Sequence, residues 1–164
     1  MLIKNTLWNH CSILITYFWV TIFFAVFYLF YRDTKPVWLT LLFFYLMDVI
    51  PGLYLHLKYF IQNKGEEYEI RDNILLRRKN GRVSYYRSDE ISKIEIFMTP
   101  SVYKGSDFHL LTIESYYYAQ ILLKNSTDRI LITCVIAPNL EEFLRKLQGV
   151  NYERNKVFFP DFEQ

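Results

Sequence analysis

Residues 11–31 read CSILITYFWVTIFFAVFYLFY, an apolar run of 21 residues that contains no charged side chain. At about 1.5 Å per residue, a helix of this length crosses the roughly 30 Å hydrocarbon core of a bilayer. An exposed helix of a soluble protein would show a polar face with a period of about 3.6 residues, and this run shows none. The stretch therefore predicts a transmembrane helix.

A second apolar stretch of the same length covers residues 37–57 and is interrupted by Asp48 and His56. The link between the two stretches is so short that the helices must be antiparallel neighbours. A cleaved signal peptide is the alternative for the first stretch, but the run is too long, lacks a cleavage site of small residues and is followed by a second span. Residues 11–60 therefore predict a two-helix membrane hairpin, and residues 1–10 a short segment before it.

The basic residues around the hairpin predict its orientation. Lys4 and Lys58, with the N-terminal amine and the basic residues further along the chain, lie on one side, whereas Arg32 and Lys35 lie on the other. The side with the excess of Lys and Arg stays in the cytoplasm. We therefore expect a multi-pass protein of the inner (cytoplasmic) membrane with both termini in the cytoplasm.

Asp48 lies near the midpoint of the second span, where a charge is costly. Asp48, Gly52 and His56 recur at every fourth position and share one helix face. The side chains expected to face Asp48 from the first helix are Thr16, Val20 and Thr21. Asp48 has two possible roles. In a functional role it is a proton relay, an ion site or a subunit contact. In a structural role it is protonated or hydrogen-bonded and fastens the hairpin. Pro51 frees a backbone group that Asp48 or Thr16 can satisfy, and the structural role is favoured.

After Phe60 the chain changes to short runs of alternating polar and apolar residues, which are typical of strands. Asn80-Gly81 is the strongest hairpin signal, since a type I′ turn requires positive φ at both of its central residues. Seven strands are predicted. The first ends at residue 70, and the other six cover residues 74–79, 82–87, 91–98, 108–113, 116–123 and 129–135.

A single helix follows the predicted strands. Asn139 is its expected N-cap, with Glu142 placed to complete a capping box, and Gly149 ends it. Its apolar residues recur at i, i+3, i+4 and i+7, namely Leu140, Phe143, Leu144 and Leu147. Residues 65–149 therefore predict a seven-stranded, partly open barrel capped by a C-terminal helix, and residues 150–164 a surface tail. The fold class is a membrane α-helical hairpin joined to a mainly-β domain.

The order of seven strands and one helix resembles the pleckstrin-homology-like (PH-like) fold. The segments that carry the similarity are GEEYEI (65–70), ILL (74–76), SDEISKI (88–94) and IAPNLEEF (136–143). They are similar to the bacterial PH-like domains that follow a pair of membrane helices, and the resemblance implies a membrane-tethered binding or scaffold module. Phosphoinositide-binding PH domains carry basic residues in a long first loop, whereas the turn here, residues 71–73, is short and charge-balanced.

The sequence contains no catalytic motif: it has no Gly-rich phosphate loop, no His-Glu metal motif and no nucleophile elbow. Cys11 and Cys134 lie in different halves and cannot form a zinc site by themselves. His109, at the start of a predicted strand, is read as a surface residue rather than a ligand. The net charge of +2 comes without a clustered basic stripe, so no nucleic-acid polymer is expected as a partner. We therefore expect a protein that is not an enzyme and needs no metal or cofactor.

Four basic residues surround the Asn80-Gly81 turn, namely Arg77, Arg78, Lys79 and Arg82. They are a candidate contact with anionic lipid headgroups or with a phosphate ligand, and the lipid contact requires that the tip of the hairpin reaches the bilayer. The alternative is a solvated hairpin tip whose charges prevent edge-to-edge aggregation.

Three consecutive tyrosines, Tyr116, Tyr117 and Tyr118, are the other candidate binding feature. Side chains alternate along a strand, so Tyr117 points to one face and its two neighbours to the other. The three are either barrel core with an exposed rim, or an aromatic patch for a partner or a stacked base.

These features predict a membrane-anchored, non-enzymatic binding or scaffold module that presents a PH-like domain at the cytoplasmic face. Its expected partners are the lipid bilayer and either another protein or a second copy of the chain. The alternative is a two-span membrane effector of bacterial antiphage defence that is gated by a cyclic oligonucleotide. The chain resembles such effectors in architecture alone.

Overall fold

The computed structural model describes residues 2–33, 35–106 and 111–162. Its strands are β1 Leu2–Lys4, β2 Glu66–Arg71, β3 Ile74–Lys79, β4 Arg82–Arg87, β5 Ile91–Met98, β6 Tyr117–Leu123, β7 Arg129–Thr133 and β8 Tyr152–Lys156. Its helices are α1 Leu7–Tyr31, α2 Lys35–Gln62, α3 Pro100–Tyr103 and α4 Leu140–Leu144, with 3₁₀ turns at Ser88–Glu90 and Thr112–Ser115.

The strands form two four-stranded sheets, ordered β1-β2-β3-β4 and β7-β6-β5-β8. All neighbours are antiparallel except β5 and β8. The 3₁₀ turn Ser88–Glu90 separates β4 from β5, and these two strands are not paired. Within the described residues the partly open barrel that the sequence predicts is therefore wrong in detail: the strands make a sandwich of two sheets, with no closed barrel.

The first strand precedes the long helices. β1 pairs with β2 so that Ile3 lies opposite Tyr68, and both side chains are buried. The helical hairpin is thus inserted between two neighbouring strands of one sheet. Residues 1–10, expected as a simple leading segment, contribute an edge strand to the domain.

Two tight turns shape the first sheet. At the β3–β4 connection, Asn80 and Gly81 have φ of 50° and 77°. Positive φ at both positions is what a type I′ turn needs, as the sequence predicts. The β2–β3 connection also has positive φ at both central residues, Asp72 and Asn73, at 50° and 62°.

The end of the chain is part of the fold, which corrects the expectation of a surface tail. β8 lies parallel to β5, with Ile96 opposite Arg154. Beyond β8, the Tyr59 hydroxyl donates to the carbonyl of Pro160 at 2.5 Å. The ring of Phe162 then packs on Tyr59 and is buried. The apolar residues near the C-terminus cover the sheet and the base of α2.

The C-terminal helix is shorter than the sequence indicates. It begins at Leu140, but Asn139 makes no side-chain capping bond, so the expected capping box is not formed. The predicted apolar stripe, Leu140, Phe143, Leu144 and Leu147, is fully buried.

The predicted strand at 108–113 lies only partly within the described residues. Its first three positions, which include His109, belong to residues 107–110, outside the described part of the chain. The part that follows forms the 3₁₀ turn Thr112–Ser115.

Helices α1 and α2 are long and apolar enough to cross a membrane, over Trp8–Tyr31 and Pro36–Gln62. Thr6 caps α1, since its side chain accepts a hydrogen bond from the backbone N–H of Asn9. One face of each helix nevertheless belongs to the domain core. The buried residues on those faces are Ile13, Tyr17, Gly52, Leu55 and Tyr59. The core is therefore continuous from both sheets into the base of the hairpin.

Candidate functional site

Asp48 joins the hairpin to the domain. Its carboxylate Oδ1 accepts a 2.9 Å hydrogen bond from the backbone N–H of Thr112, and the Thr112 hydroxyl donates to the Asp48 carbonyl at 2.8 Å. The expected partners Thr16, Val20 and Thr21 do not take this role, and Thr21 instead bonds to Tyr45. The 3₁₀ turn that begins at Thr112 presents unpaired backbone donors, which is why it attracts a carboxylate.

Gly52 makes the close approach at this junction possible. A Cβ atom on Gly52 would lie 2.3 Å from the Tyr17 hydroxyl and 2.4 Å from the Thr112 hydroxyl. Any larger residue would push these groups apart. The glycine that shares a helix face with Asp48 therefore marks the point where α1, α2 and the domain meet.

A line of hydrogen-bonded side chains runs from this junction, and we call it the polar chain. The hydroxyls of Tyr17 and Tyr116 are 2.9 Å apart, and Tyr116 is 3.0 Å from His56 Nδ1. His56 Nε2 lies 2.9 Å from His10 Nδ1. His10 Nε2 lies 2.6 Å from Asn5 Oδ1. The sequence singled out His56 and Tyr116 separately, and the structure brings them together.

Tyr116 is the residue of the polar chain that the domain supplies. It is fully buried between the 3₁₀ turn Thr112–Ser115 and β6, and burial, with the nearby oxygen of Tyr17, raises the pKa of its phenol well above the ordinary value. The phenol therefore stays protonated and acts as a neutral hydrogen-bonding group. No sequence pattern predicted its contacts, because its two partners lie on different helices.

Tyr117 and Tyr118 are also buried. The Tyr117 hydroxyl donates to the Pro138 carbonyl and accepts from the Leu140 N–H at 3.2 Å, which holds the start of α4. Tyr118 stacks on Phe97 with ring centroids 4.9 Å apart, and burial raises the pKa of Tyr118 to about 12. β6 is covered on both faces, so these tyrosines form core and not an open platform for a base or partner.

The basic residues at the β3–β4 tip are paired with acidic residues of β2. Arg77 and Lys79 contact the Glu66 carboxylate at 2.6 and 2.8 Å, and Arg78 contacts Glu69 at 3.0 Å. Arg82 follows the turn and, with its neighbours, lines an open pocket of about 440 Å³. These pairs follow from the strand register, and they reduce the positive field that an anionic ligand would meet.

Glu66 is only 1% exposed and anchors a structural network. Burial alone would raise its pKa, but hydrogen bonds from Arg77, Lys79 and Tyr68 outweigh that effect and lower the pKa. Asn63, at the end of α2, donates to Glu66 at 3.0 Å, and its Oδ1 accepts from the Thr133 N–H at 2.9 Å. The network ties α2 to both sheets.

No metal site is evident in the part of the chain that the structure describes, and one of the two thiols is buried. There, no group of three or more His, Cys, Asp or Glu side chains could hold a metal ion. Cys134 is buried, and burial raises the pKa of its thiol to about 12, so the reactive thiolate is disfavoured.

An apolar groove of about 680 Å³ opens beside Asp48 on the outer part of the hairpin. Its walls are aromatic and aliphatic side chains that include Trp19, Phe23, Phe44 and Leu111. Asp48 is the one ionisable side chain among the residues that line it. The junction carboxylate thus borders an apolar surface on one side and the polar chain on the other.

A model of the protein family described as "PH domain" matches residues 3–144. The match begins in β1, runs through both long helices and both sheets, and ends in α4. The long helices therefore lie within the matched region and not before it. No curated protein and no solved structure gives a significant match.

Proposed function

Because the chain belongs to the PH domain family, we propose that it is a membrane-anchored, non-enzymatic binding or scaffold module. The inserted hairpin is the anchor, and the two-sheet domain is the part presented at the membrane surface. Fold alone does not assign a ligand, so the argument rests on the surfaces that the structure exposes.

The observation that carries the proposal is the apolar surface of the hairpin beyond the junction. Large side chains point outward around both helices, and Phe30 is 80% exposed. The others on this surface include Phe18, Trp19, Phe23, Leu29, Phe43, Phe44 and Met47. Soluble monomers rarely expose apolar patches beyond a few hundred Å², so this surface fits the hydrocarbon of a bilayer.

The junction determines how the domain sits on its anchor. Asp48 bonds to Thr112, and Lys58 forms a 2.6 Å ion pair with Asp161 near the other end of the chain. The domain is therefore fastened directly to the base of the hairpin, without a flexible linker. A bound partner would be held close to the bilayer.

The position of β1 supports a topology with both termini on one side. β1 precedes α1 and pairs with β2, which follows α2, so the chain leaves and re-enters the same domain. The excess of basic residues on this side favours the cytoplasm. We therefore propose that the domain lies at the cytoplasmic face of the inner membrane.

Strand β4 is the surface on the domain that best fits a protein partner. It is the edge of the first sheet and is exposed along its length, with Val83 and Tyr85 presenting apolar side chains. An unpaired edge offers backbone donors and acceptors to an added strand. Arg82 and Arg87 at its two ends favour an acidic segment over a second antiparallel copy of β4.

Depth-dependent fluorescence quenching tests the anchor, since the chain contains three tryptophans, Trp8, Trp19 and Trp38. Each is kept alone in turn, with the others changed to Phe, and the protein is reconstituted in vesicles with lipids brominated at different depths. We expect Trp19 and Trp38, on the part of the hairpin beyond the junction, to be quenched by brominated lipids. Trp8, at the start of α1 on the domain side of the junction, should respond to them least.

The matched control is Tyr85→Trp in a tryptophan-free background, which places the fluorophore on exposed β4. It should respond to aqueous iodide and to no brominated lipid. Iodide quenching of Trp19 as strong as that of the control would show that the hairpin is not in the bilayer.

A further inference from the structure

The polar chain connects two different environments. At one end Asn5 lines an open pocket of about 460 Å³, shared with Lys4, Glu67 and Arg78. At the other end Asp48 borders the apolar groove of the hairpin. Between them no link of the chain from Asn5 to Tyr17 exceeds 3.0 Å.

The last links run through Thr112. The hydroxyls of Tyr17 and Thr112 converge on one point, since a Cβ atom on Gly52 would lie 2.3 Å from the first and 2.4 Å from the second. The Thr112 hydroxyl lies 3.3 Å from Asp48 Oδ1 and 2.8 Å from its carbonyl oxygen. The line of polar side chains therefore continues from the open pocket to the carboxyl group.

The chemistry of the groups sets the direction of the hydrogens. Asn5 Oδ1 can only accept, so His10 Nε2 carries the hydrogen and His10 Nδ1 is an acceptor. His56 must then donate through Nε2 and accept at Nδ1. Tyr116 donates to that Nδ1 and accepts from Tyr17. From Tyr17 to Asn5 every hydrogen points toward the pocket, whereas the Thr112 hydroxyl donates its hydrogen to the Asp48 carbonyl.

We propose that the polar chain is a proton-transfer path that connects the carboxyl group of Asp48 with water beside Asn5. The path lies inside the protein and stands whether or not the hairpin is in a bilayer. Only the identification of the surroundings of the groove as lipid rests on the proposed function. The activity it adds is proton uptake and release at an acid that faces an apolar space.

The transfer balances as a relay. Protonated Asp48 gives its proton to the Thr112 oxygen while the Thr112 hydroxyl turns its own hydrogen from the Asp48 carbonyl to the Tyr17 oxygen. The hydrogen of each following hydroxyl or N–H moves to the next lone pair, through Tyr116, His56 and His10, and the last proton leaves His10 Nε2 for water in the pocket. Asp48 loses one proton, water gains one, and every intermediate group keeps one hydrogen with its bond reversed. No oxidant or co-reactant is required.

Within the described residues, the titratable groups beside the polar chain do not form a second continuous route for the proton. Other titratable groups that act on its members are Glu114, near Asp48, together with Cys134 and Tyr59, which are both buried. The ring of Phe60 packs edge-on against His10 at 5.4 Å and shields it. The Cys134 thiol bonds to the Ser115 carbonyl and the Tyr117 N–H, and the Tyr59 hydroxyl donates to the Pro160 carbonyl, so they shape the field without carrying the proton.

Rapid-mixing infrared spectroscopy of the full chain tests the path. The carbonyl band of protonated Asp48 is identified by its loss in Asp48→Asn, and its response to a pH jump is followed in detergent micelles and in vesicles. Tyr116→Phe removes one hydroxyl of the relay while keeping the ring. We expect it to slow the response on the order of 10²-fold, the usual effect of losing a proton-transfer group.

Tyr118→Phe is the matched control, because Tyr118 is a buried tyrosine two residues from Tyr116 and outside the polar chain, so losing its hydroxyl should leave the rate unchanged. Tyr17→Phe provides a second break if Tyr116→Phe does not fold. An unchanged rate in the relay variants would overturn the proposal, as would the absence of any pH-dependent band that Asp48→Asn removes. Because micelles and vesicles are compared, failure of membrane anchoring leaves the micelle result interpretable.

Discussion

The carboxylate of Asp48 on α2 accepts a 2.9 Å hydrogen bond from the backbone N–H of Thr112, a residue 64 positions further along the chain. This one contact links a helix that is apolar enough to cross a membrane with the domain that follows it. It places a polar residue of the apolar stretch at an internal joint. The hairpin and the sheets therefore share one core and are expected to unfold together.

Gly52→Ala should loosen the joint. The added Cβ would meet the hydroxyls of Tyr17 and Thr112 within 2.4 Å, so one of them must move. Overpacking of this kind typically costs about 1–3 kcal/mol of unfolding free energy. Thermal unfolding in detergent measures the loss. Leu53→Ala, at the neighbouring exposed position, serves as control and should cost less, and equal losses would argue against a tight joint.

Phe162→Ala should destabilise the protein strongly. Phe162 is 6% exposed and packs on Tyr59 and Tyr118, although only two residues follow it in the sequence. Truncation of a buried Phe costs about 3–5 kcal/mol. Phe158, at 76% exposure, is the matched control, and Phe158→Ala should be nearly neutral. Similar unfolding midpoints for both variants would restore the reading of this segment as a surface tail.

Glu66→Gln should lower stability at neutral pH and flatten its pH dependence. The hydrogen-bonded carboxylate has a lowered pKa in the folded protein, so its contribution is present above the ordinary carboxyl value of about 4.3 and is lost as pH falls through the folded value. We expect a loss of about 2–3 kcal/mol at neutral pH, since Arg77 and Lys79 keep contact with water.

Denaturant unfolding at a series of acidic pH values checks the Glu66 prediction. Glu67→Gln is the control, because Glu67 makes a long, exposed contact of 3.8 Å with Arg78 and should change stability by less than about 1 kcal/mol. An acid dependence of Glu66→Gln identical to that of the parent would rule out the network as its source.

A fragment of residues 65–149 should not fold stably by itself. It lacks β1, β8 and the buried faces of α1 and α2, which contribute Ile3, Tyr17, Leu55 and Tyr59 to the core. Circular dichroism and the dispersion of amide NMR signals report on its state. The full chain in detergent is the reference. A cooperative unfolding transition in the fragment would show that the long helices are dispensable for the core.

The local pattern of the sequence was enough for the apolar hairpin, the β3–β4 turn, most strands and the apolar stripe of α4. These features depend on periodicity, on chain reversal at Asn80-Gly81 and on solvent preference, all of which act over a few residues. The same signals predicted the PH-like character that the family match confirms.

Tertiary structure alone decided which residues meet. Asp48 reaches Thr112 because a 3₁₀ turn carries free N–H groups to α2, and nothing within five residues of Asp48 encodes that. The positive field of the basic tip is reduced through the register of β2 against β3, and the polar chain needs Asn5, two helices and the residue before β6 at once. Such contacts follow from how the elements pack, and a pattern that is read along one segment carries no information about the partner that another segment brings.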